Sequence, residues 1–282
     1  MSQFAASLAT PRRPTLPQPM RALFGRDGQS LVARAFASTD AGQHRAHNED
    51  SFLIDDDLRL YAVADGMGGH AGGSIASRLA TDTLHEEMSR DMKSVGAAAL
   101  LDGDHPVLRW LPAAVRRANA AIRMRGEHEP LLEGMGTTLT ALCMADQIAV
   151  IAHVGDSRAY LIRDQLIAQI TDDHSMVAAQ VRAGRLTAEQ AQRSPFKNII
   201  TRALGMQPDV VIDTMPVAPR AGDVWVLCSD GLSNYVLPGE ILHLVSTTGP
   251  EDAARPLIEL ANARGGDDNI TALVIALSRV AA

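Results

Sequence analysis

Residues 137–170 read TTLTALCMADQIAVIAHVGDSRAYLIRDQLIAQI, and this stretch decides the fold class. Four apolar runs within it, Thr137–Met144, Ile148–His153, Ala159–Arg163 and Leu166–Ile170, read as strands. The breaks between them are short, with Asp146-Gln147 in one and Asp164-Gln165 in another. Such turns join antiparallel neighbours, because a parallel pair needs a long crossover. Upstream, Leu31–Ser38 and Leu58–Ala64 read as strands. Gly73–Arg90 reads as a helix, with Ile75, Leu79, Thr83 and Leu84 spaced for one face, and Pro112–Arg125 as a second, Ala-rich one. Downstream, Met176–Ala183 and Thr187–Arg193 read as short helices ended by Gly184 and Pro195. Val210–Met215 and Val224–Cys228 return to strand, Pro238–Ser246 and Glu251–Ala263 to helix, and Ile270–Leu277 is the last strand. Consecutive strands in the middle with paired helices on either side predict an α+β layered fold rather than a βαβ repeat.

The 282 residues, 46% of them hydrophobic and 21% charged, suffice for one large globular domain. A net charge of −7 argues against a nucleic-acid wrapper, which needs a basic surface. No run of about 18 apolar residues is long enough for a membrane span. Cys143 and Cys228 lie in apolar, strand-like runs, so they read as buried thiols of a reducing, cytoplasmic compartment. Residues 1–30 differ from the rest. Pro11, Pro14, Pro17 and Pro19 break any regular element, and Arg12, Arg13, Arg21 and Arg26 precede the first acid, Asp27. They read as a disordered basic tail, with a transit peptide as the weaker alternative. The remaining 31–282 form the expected domain.

Three apolar runs end alike. Tyr61–Ala64 leads into Asp65-Gly66, Val150–Gly155 into Asp156-Ser157, and Val224–Ser229 into Asp230-Gly231, where Gly66 and Gly231 read as residues that let the backbone turn sharply. Two further acidic clusters, Asn48-Glu49-Asp50 and Asp267-Asp268-Asn269, sit just before the apolar runs Ser51–Ile54 and Ile270–Leu277. An aspartate emerging from a buried strand is costly unless its charge is compensated. Single acids favour turns for local reasons, but five such sites predict convergence on a hard cation. Oxygen-only ligation selects Mg²⁺, Mn²⁺ or Ca²⁺ over zinc. Two ions bridged by a carboxylate are a standard device for displacement at phosphorus. Cysteine-based phosphoryl chemistry is excluded, since Ala149 stands where a Cys-x₅-Arg loop requires arginine after Cys143.

The same residues carry a resemblance. DAGQHRAHNED (40–50), ADGMGGH (64–70), GMGTT (134–138), HVGDSR (153–158), CSDGL (228–232) and GDDNIT (266–271) resemble, in order, the motifs of the PP2C (PPM) family of metal-dependent protein serine/threonine phosphatases. TDDHS (171–175), RAGRLT (182–187) and ITRALG (200–205) are similar to the mobile flap of its bacterial branch, here over about 172–205.

The resemblance implies a sandwich of two antiparallel β-sheets flanked by helix pairs, with two tight Mn²⁺ or Mg²⁺ ions and a third, weaker one. Asp65 is expected to bridge two ions, Gly66 to offer its carbonyl, and Glu49 to act directly or through water. Asp230 and Asp268 are expected at the first ion, and Asp156 with Asp230 at the third. Arg45 would grip the substrate phosphate, Asp50 and Asn269 would support the ligands, and His174 opens the flap. Met67 stands where some relatives carry the histidine that protonates the leaving group, which makes His70 a candidate acid. The implied reaction is hydrolysis of phosphoserine and phosphothreonine on a protein by a metal-bridged water, without a covalent intermediate, opposing a Ser/Thr kinase. The alternatives are a catalytically weak phosphoprotein-binding module and a small-phosphoester hydrolase.

Overall fold

The computed structural model describes residues 31–68, 72–94, 105–145 and 147–279. The expected tail, His70 and the turn residue Asp146 lie outside the described residues. Eleven strands are described. They are β1 (Leu31–Asp40), β2 (Asp50–Asp55), β3 (Leu60–Met67), β4 (Gly136–Thr137), β5 (Leu139–Ala145), β6 (Ile148–Val154), β7 (Arg158–Arg163), β8 (Leu166–Gln169), β9 (Asp213–Val217), β10 (Val224–Cys228) and β11 (Ile270–Arg279). One sheet runs β1-β11-β10-β7-β8 and the other β2-β3-β5-β6-β9, with β4 beside β3. Every pairing is antiparallel.

Three apolar layers show why the strands read as nearly unbroken hydrophobic runs. Tyr61, Val63, Leu142, Ile151, Leu161, Trp225, Leu227, Leu273 and Ile275 fill the space between the sheets. Leu60, Ala62 and Ala64, on the other face of β3, pack under α1 (Gly72–Ser94) and α2 (Val107–His128) through Ala80, Leu84, Leu111 and Val115. On the opposite side, Val226, Cys228, Ala272 and Val274 pack under α6 (Pro238–Thr248) and α7 (Pro250–Ala263). Both faces of each sheet are thus covered, giving α-β-β-α layers. Three shorter helices, α3 (Met176–Arg182), α4 (Ala188–Gln192) and α5 (Asp230–Ser233), complete the described elements used below.

Two elements start three or more residues from where the sequence reading puts them. Helix α2 begins at Val107 and carries Pro112 inside it, not at its start. Burial of Val107 and Leu111 outweighs the backbone hydrogen bond that proline forfeits. Strand β9 starts at Asp213 rather than Val210. It is an edge strand on β6, where Pro216 opposite Val150 does no damage.

Candidate active site

Antiparallel order brings the acid-bearing strand ends to one end of the sandwich. Asp50 and Asp65 are directly opposite partners in the β2–β3 ladder. Cys228, two residues before Asp230, lies between Arg158 and Ala272 in the other sheet. Two like charges facing each other across a ladder are unfavourable. The structure places them there in company with Asp156, Asp230 and Asp268.

Their electrostatics show the convergence. Burial pushes the Asp65 carboxyl well above the ordinary range, and the charges of Asp50, Asp230, Asp156 and Asp268 push it further. Asp156 is raised well above the usual range by burial and by Asp230. Asp230 is raised by burial and by Asp268. Asp50 is pushed up to about 7, chiefly by burial. Glu49 is raised by burial against the pull of Arg45. One Oδ1 atom each of Asp50 and Asp230 is buried without a hydrogen-bond partner.

This donor set fits hard divalent cations: it is all oxygen, largely buried, mutually repelling and partly orphaned. Among the described residues no three Asp, Glu, His or Cys side chains are grouped as a finished ligand cage. The carboxylates are neighbours rather than a closed shell, and Asp268 Oδ2 accepts a 2.9 Å hydrogen bond from Arg45 Nη2.

The supporting groups are small and polar. Asn269 Oδ1 accepts from the Glu49 N–H at 2.7 Å, while its amide nitrogen donates to the carbonyls of Ala41 and His47. Asp50 Oδ2 accepts from Ser229 and Thr271. The Asp65 N–H donates to Thr138 Oγ1 at 2.9 Å, and Thr138 Oγ1 meets Ser157 Oγ at 2.7 Å. The Asp65 backbone is thereby tied to the residue after Asp156. Thr138, Ser157, Ser229 and Thr271 received no role from the sequence. The available signal was that three of them lie within three residues of an acid.

The glycines beside the acids correct another expectation. Gly66 and Gly231 do not supply sharp turns: one lies inside β3 and the other inside α5. A Cβ on Gly66 would stand 2.1 Å from the Gly73 carbonyl oxygen, and one on Gly231 would stand 2.1 Å from that of Asn269. Both are needed because backbones meet there.

His174 is buried where the chain leaves β8 for the long excursion holding α3 and α4. Arg45 is half exposed beside Asp268 at the solvent-facing edge of the acid cluster, the mouth of the site, its Nε facing the Asp267 carbonyl oxygen.

The chain is 45% identical to the serine/threonine protein phosphatase PstP of Mycobacterium tuberculosis over 249 residues, 87% of this chain but only 45% of that protein. The chain therefore spans about half the length of this relative. It is 39% identical to the serine/threonine phosphatase stp of Listeria monocytogenes, over 84% of this chain and 93% of the relative. The crystal structure of the PstP catalytic domain in complex with two manganese ions superposes with a TM-score of 0.77 at 42% identity, covering 88% of this chain and all of that one. With the protein phosphatase 2C family model matching residues 40–273, the chain belongs to that family of serine/threonine phosphatases.

Proposed function

We propose that the chain hydrolyses phosphoserine and phosphothreonine on proteins with Mn²⁺ or Mg²⁺, opposing a Ser/Thr kinase of the same cell. The observation that carries this reading is the meeting of six buried or half-buried acids, Glu49, Asp50, Asp65, Asp156, Asp230 and Asp268, from five separate stretches of chain at one end of the sandwich. PstP solved with two manganese ions supports the choice of metal.

In this reading Asp65 would bridge two ions, with the Gly66 carbonyl and Glu49, directly or through water, serving beside it, and Asp230 and Asp268 would hold the first. Asp156 with Asp230 would hold a third, weaker one. Bound divalent ions lower the pKa of water and offset the charge of the phosphomonoester dianion. The chain's own residues do the rest. Arg45, at the mouth beside Asp268, swings from its carboxylate partner to the substrate phosphate and fits two of its oxygens. Asn269 and Asp50 hold the ligand-bearing loops by hydrogen bonds. Two buried free thiols, both pushed up to about 12 by burial, are in keeping with a cytoplasmic enzyme. Among the described residues no helix is long and apolar enough to cross a membrane.

The test is turnover of phosphoserine and phosphothreonine peptides against small phosphate esters, with Mn²⁺, with Mg²⁺ and with excess chelator. Metal-dependent release of phosphate from the peptides is expected. Turnover confined to small esters would replace this reading with the small-phosphoester one.

A further inference from the structure

The excursion between β8 and β9 is fastened to the Asp156 loop through His174 and its neighbour Asp173. His174 donates its backbone N–H to the Gly155 carbonyl at 2.7 Å. Its ring Nδ1 accepts the Gly155 N–H at 3.0 Å. Its carbonyl accepts from the N–H of Thr201 at 2.7 Å and from Thr201 Oγ1 at 3.0 Å, and so holds the returning limb. On the far side of the ring, Nε2 meets Asp213 Oδ2 at 3.1 Å, and Arg202 donates to the other Asp213 oxygen at 2.8 Å. The neighbouring Asp173 is clamped by Arg158, whose Nε and Nη2 donate to its two carboxylate oxygens at 2.9 and 2.7 Å. Arg158 is itself two residues from Asp156.

A backbone N–H can only donate, so Nδ1 accepts from Gly155. Nε2 lies 3.1 Å from Asp213 Oδ2 and 3.0 Å from Arg202 Nη1. The two nitrogens do separate work: Nδ1 faces the Asp156 loop, Nε2 faces the returning limb of the excursion.

We infer that His174 is a positioning residue that couples the pose of the 172–205 segment to the Asp156 loop, with the Nδ1–Gly155 hydrogen bond as the coupling contact. The inference rests on the metal reading above, because Asp156 is the acid on that loop. A cation held by Asp156 sets Gly155, Gly155 sets the ring, and the ring and its carbonyl set both limbs. The segment stands beside the mouth, with Lys197 6.0 Å from the Tyr235 ring and Tyr235 hydrogen-bonded to Asp267. Its pose therefore matters more to a phosphoprotein than to a small ester.

Two amide variants separate the two nitrogens. The amide of His174→Asn reproduces the Nδ1 position, and that of His174→Gln the Nε2 position. The readouts are trypsin nicking after the exposed Arg185 and Arg193, with Mn²⁺ and with chelator, and kcat and KM on a phosphothreonine peptide and a small ester. In the wild type and in His174→Asn, Mn²⁺ is expected to slow nicking. In His174→Gln nicking is about tenfold faster, the size of one lost buried hydrogen bond, and no longer responds to Mn²⁺. The same variant loses more kcat on the peptide than on the ester. Mn²⁺ protection retained in His174→Gln, or equal behaviour of the two amides, overturns the coupling. A wild type whose activity and nicking both ignore Mn²⁺ overturns the metal reading, and the coupling with it.

Discussion

Asp50 Oδ2 accepts a 2.7 Å hydrogen bond from Ser229 Oγ, so the residue after Glu49 holds the residue before Asp230 across the two sheets. Thr271 Oγ1 donates to the same oxygen at 2.6 Å. The carboxylate is a clasp between the two strand ends. Asp50→Ala removes the clasp and with it one charge from a crowded site, so the lost hydrogen bonds and the relieved repulsion offset each other in stability. Metal affinity has no such offset. The variant should need about 10–100-fold more Mn²⁺ for half-maximal activity, as losing a ligand's support typically does. Asp50→Asn, which keeps an acceptor for both hydroxyls, should recover most of it. A metal titration of activity decides; an unchanged midpoint in Asp50→Ala would refute the clasp.

Asp65 is the acid that the other four aspartates, Asp50, Asp156, Asp230 and Asp268, press upon. Asp65→Asn and Asp230→Asn keep the shape of the side chain and remove its charge. Each should lower kcat with a chromogenic phosphate ester by about 10³-fold or more, a loss of several kcal/mol in transition-state stabilisation. Chelator should silence the wild type as completely. Full wild-type turnover in excess chelator would contradict the role given to every acid in the site.

The strand runs were legible because burial on both faces makes them continuous in sequence. The acids were legible because each interrupts such a run. What sequence could not show is what lies between them. Thr138 bonds the Asp65 backbone 73 residues away and Asn269 bonds Glu49 across 220, distances over which no local pattern speaks. The glycines were misread for the same reason. Gly66 looks like a turn residue until Gly73 is seen against its backbone. The start of α2 was misread from the opposite cause, since local proline chemistry was overruled by tertiary burial.

The glycine contact can be tested directly. A Cβ on Gly73 would stand 2.5 Å from Glu49 Oε2 and 2.9 Å from the Gly66 carbonyl carbon. Gly73→Ala should therefore displace Glu49, costing about 1–3 kcal/mol of stability and weakening Mn²⁺ activation. Gly239→Ala, with open space around its added methyl group, serves as the control and should do neither. Thermal melts and metal titrations of the two variants make the comparison; equal behaviour would mean that the Gly73 backbone yields.

Arg45 is held by Asp268 and the Asp267 carbonyl, yet half its side chain is exposed at the mouth. A guanidinium that grips phosphate in both ground and transition states lowers KM more than it raises kcat. Arg45→Ala should raise KM roughly 10–100-fold, the span of one charge-assisted contact. Arg45→Lys should restore part of this, because a point charge cannot match two oxygens at once. Steady-state kinetics on a small ester give the split. Unchanged KM in both variants would leave Arg45 as a partner of Asp268 only.

His153 is fully buried, with its ring nitrogens at 2.9 Å from Thr140 Oγ1 and 3.2 Å from the Asp172 carbonyl oxygen. Burial pushes its pKa down to about 3, and the His174 ring lies 4.7 Å away. In the unfolded chain the same imidazole titrates near the ordinary value of about 6.5. Between these values the unfolded state holds a proton that the folded state refuses. Stability therefore falls as pH drops from about 6.5 toward 3, at up to about 1.4 kcal/mol per pH unit. The raised carboxyls of Asp65 and Asp156 act with the opposite sign, since folding favours their protonated form. A difference between variants isolates the histidine. His153→Gln should be less stable than the wild type at pH 7.5, having lost a fitted ring. Its stability should then fall by about 2 kcal/mol less than the wild type's between pH 6 and 4.5. Urea unfolding in chelator at several pH values measures both. Parallel pH profiles for the two proteins would show that His153 takes up its proton without unfolding the chain.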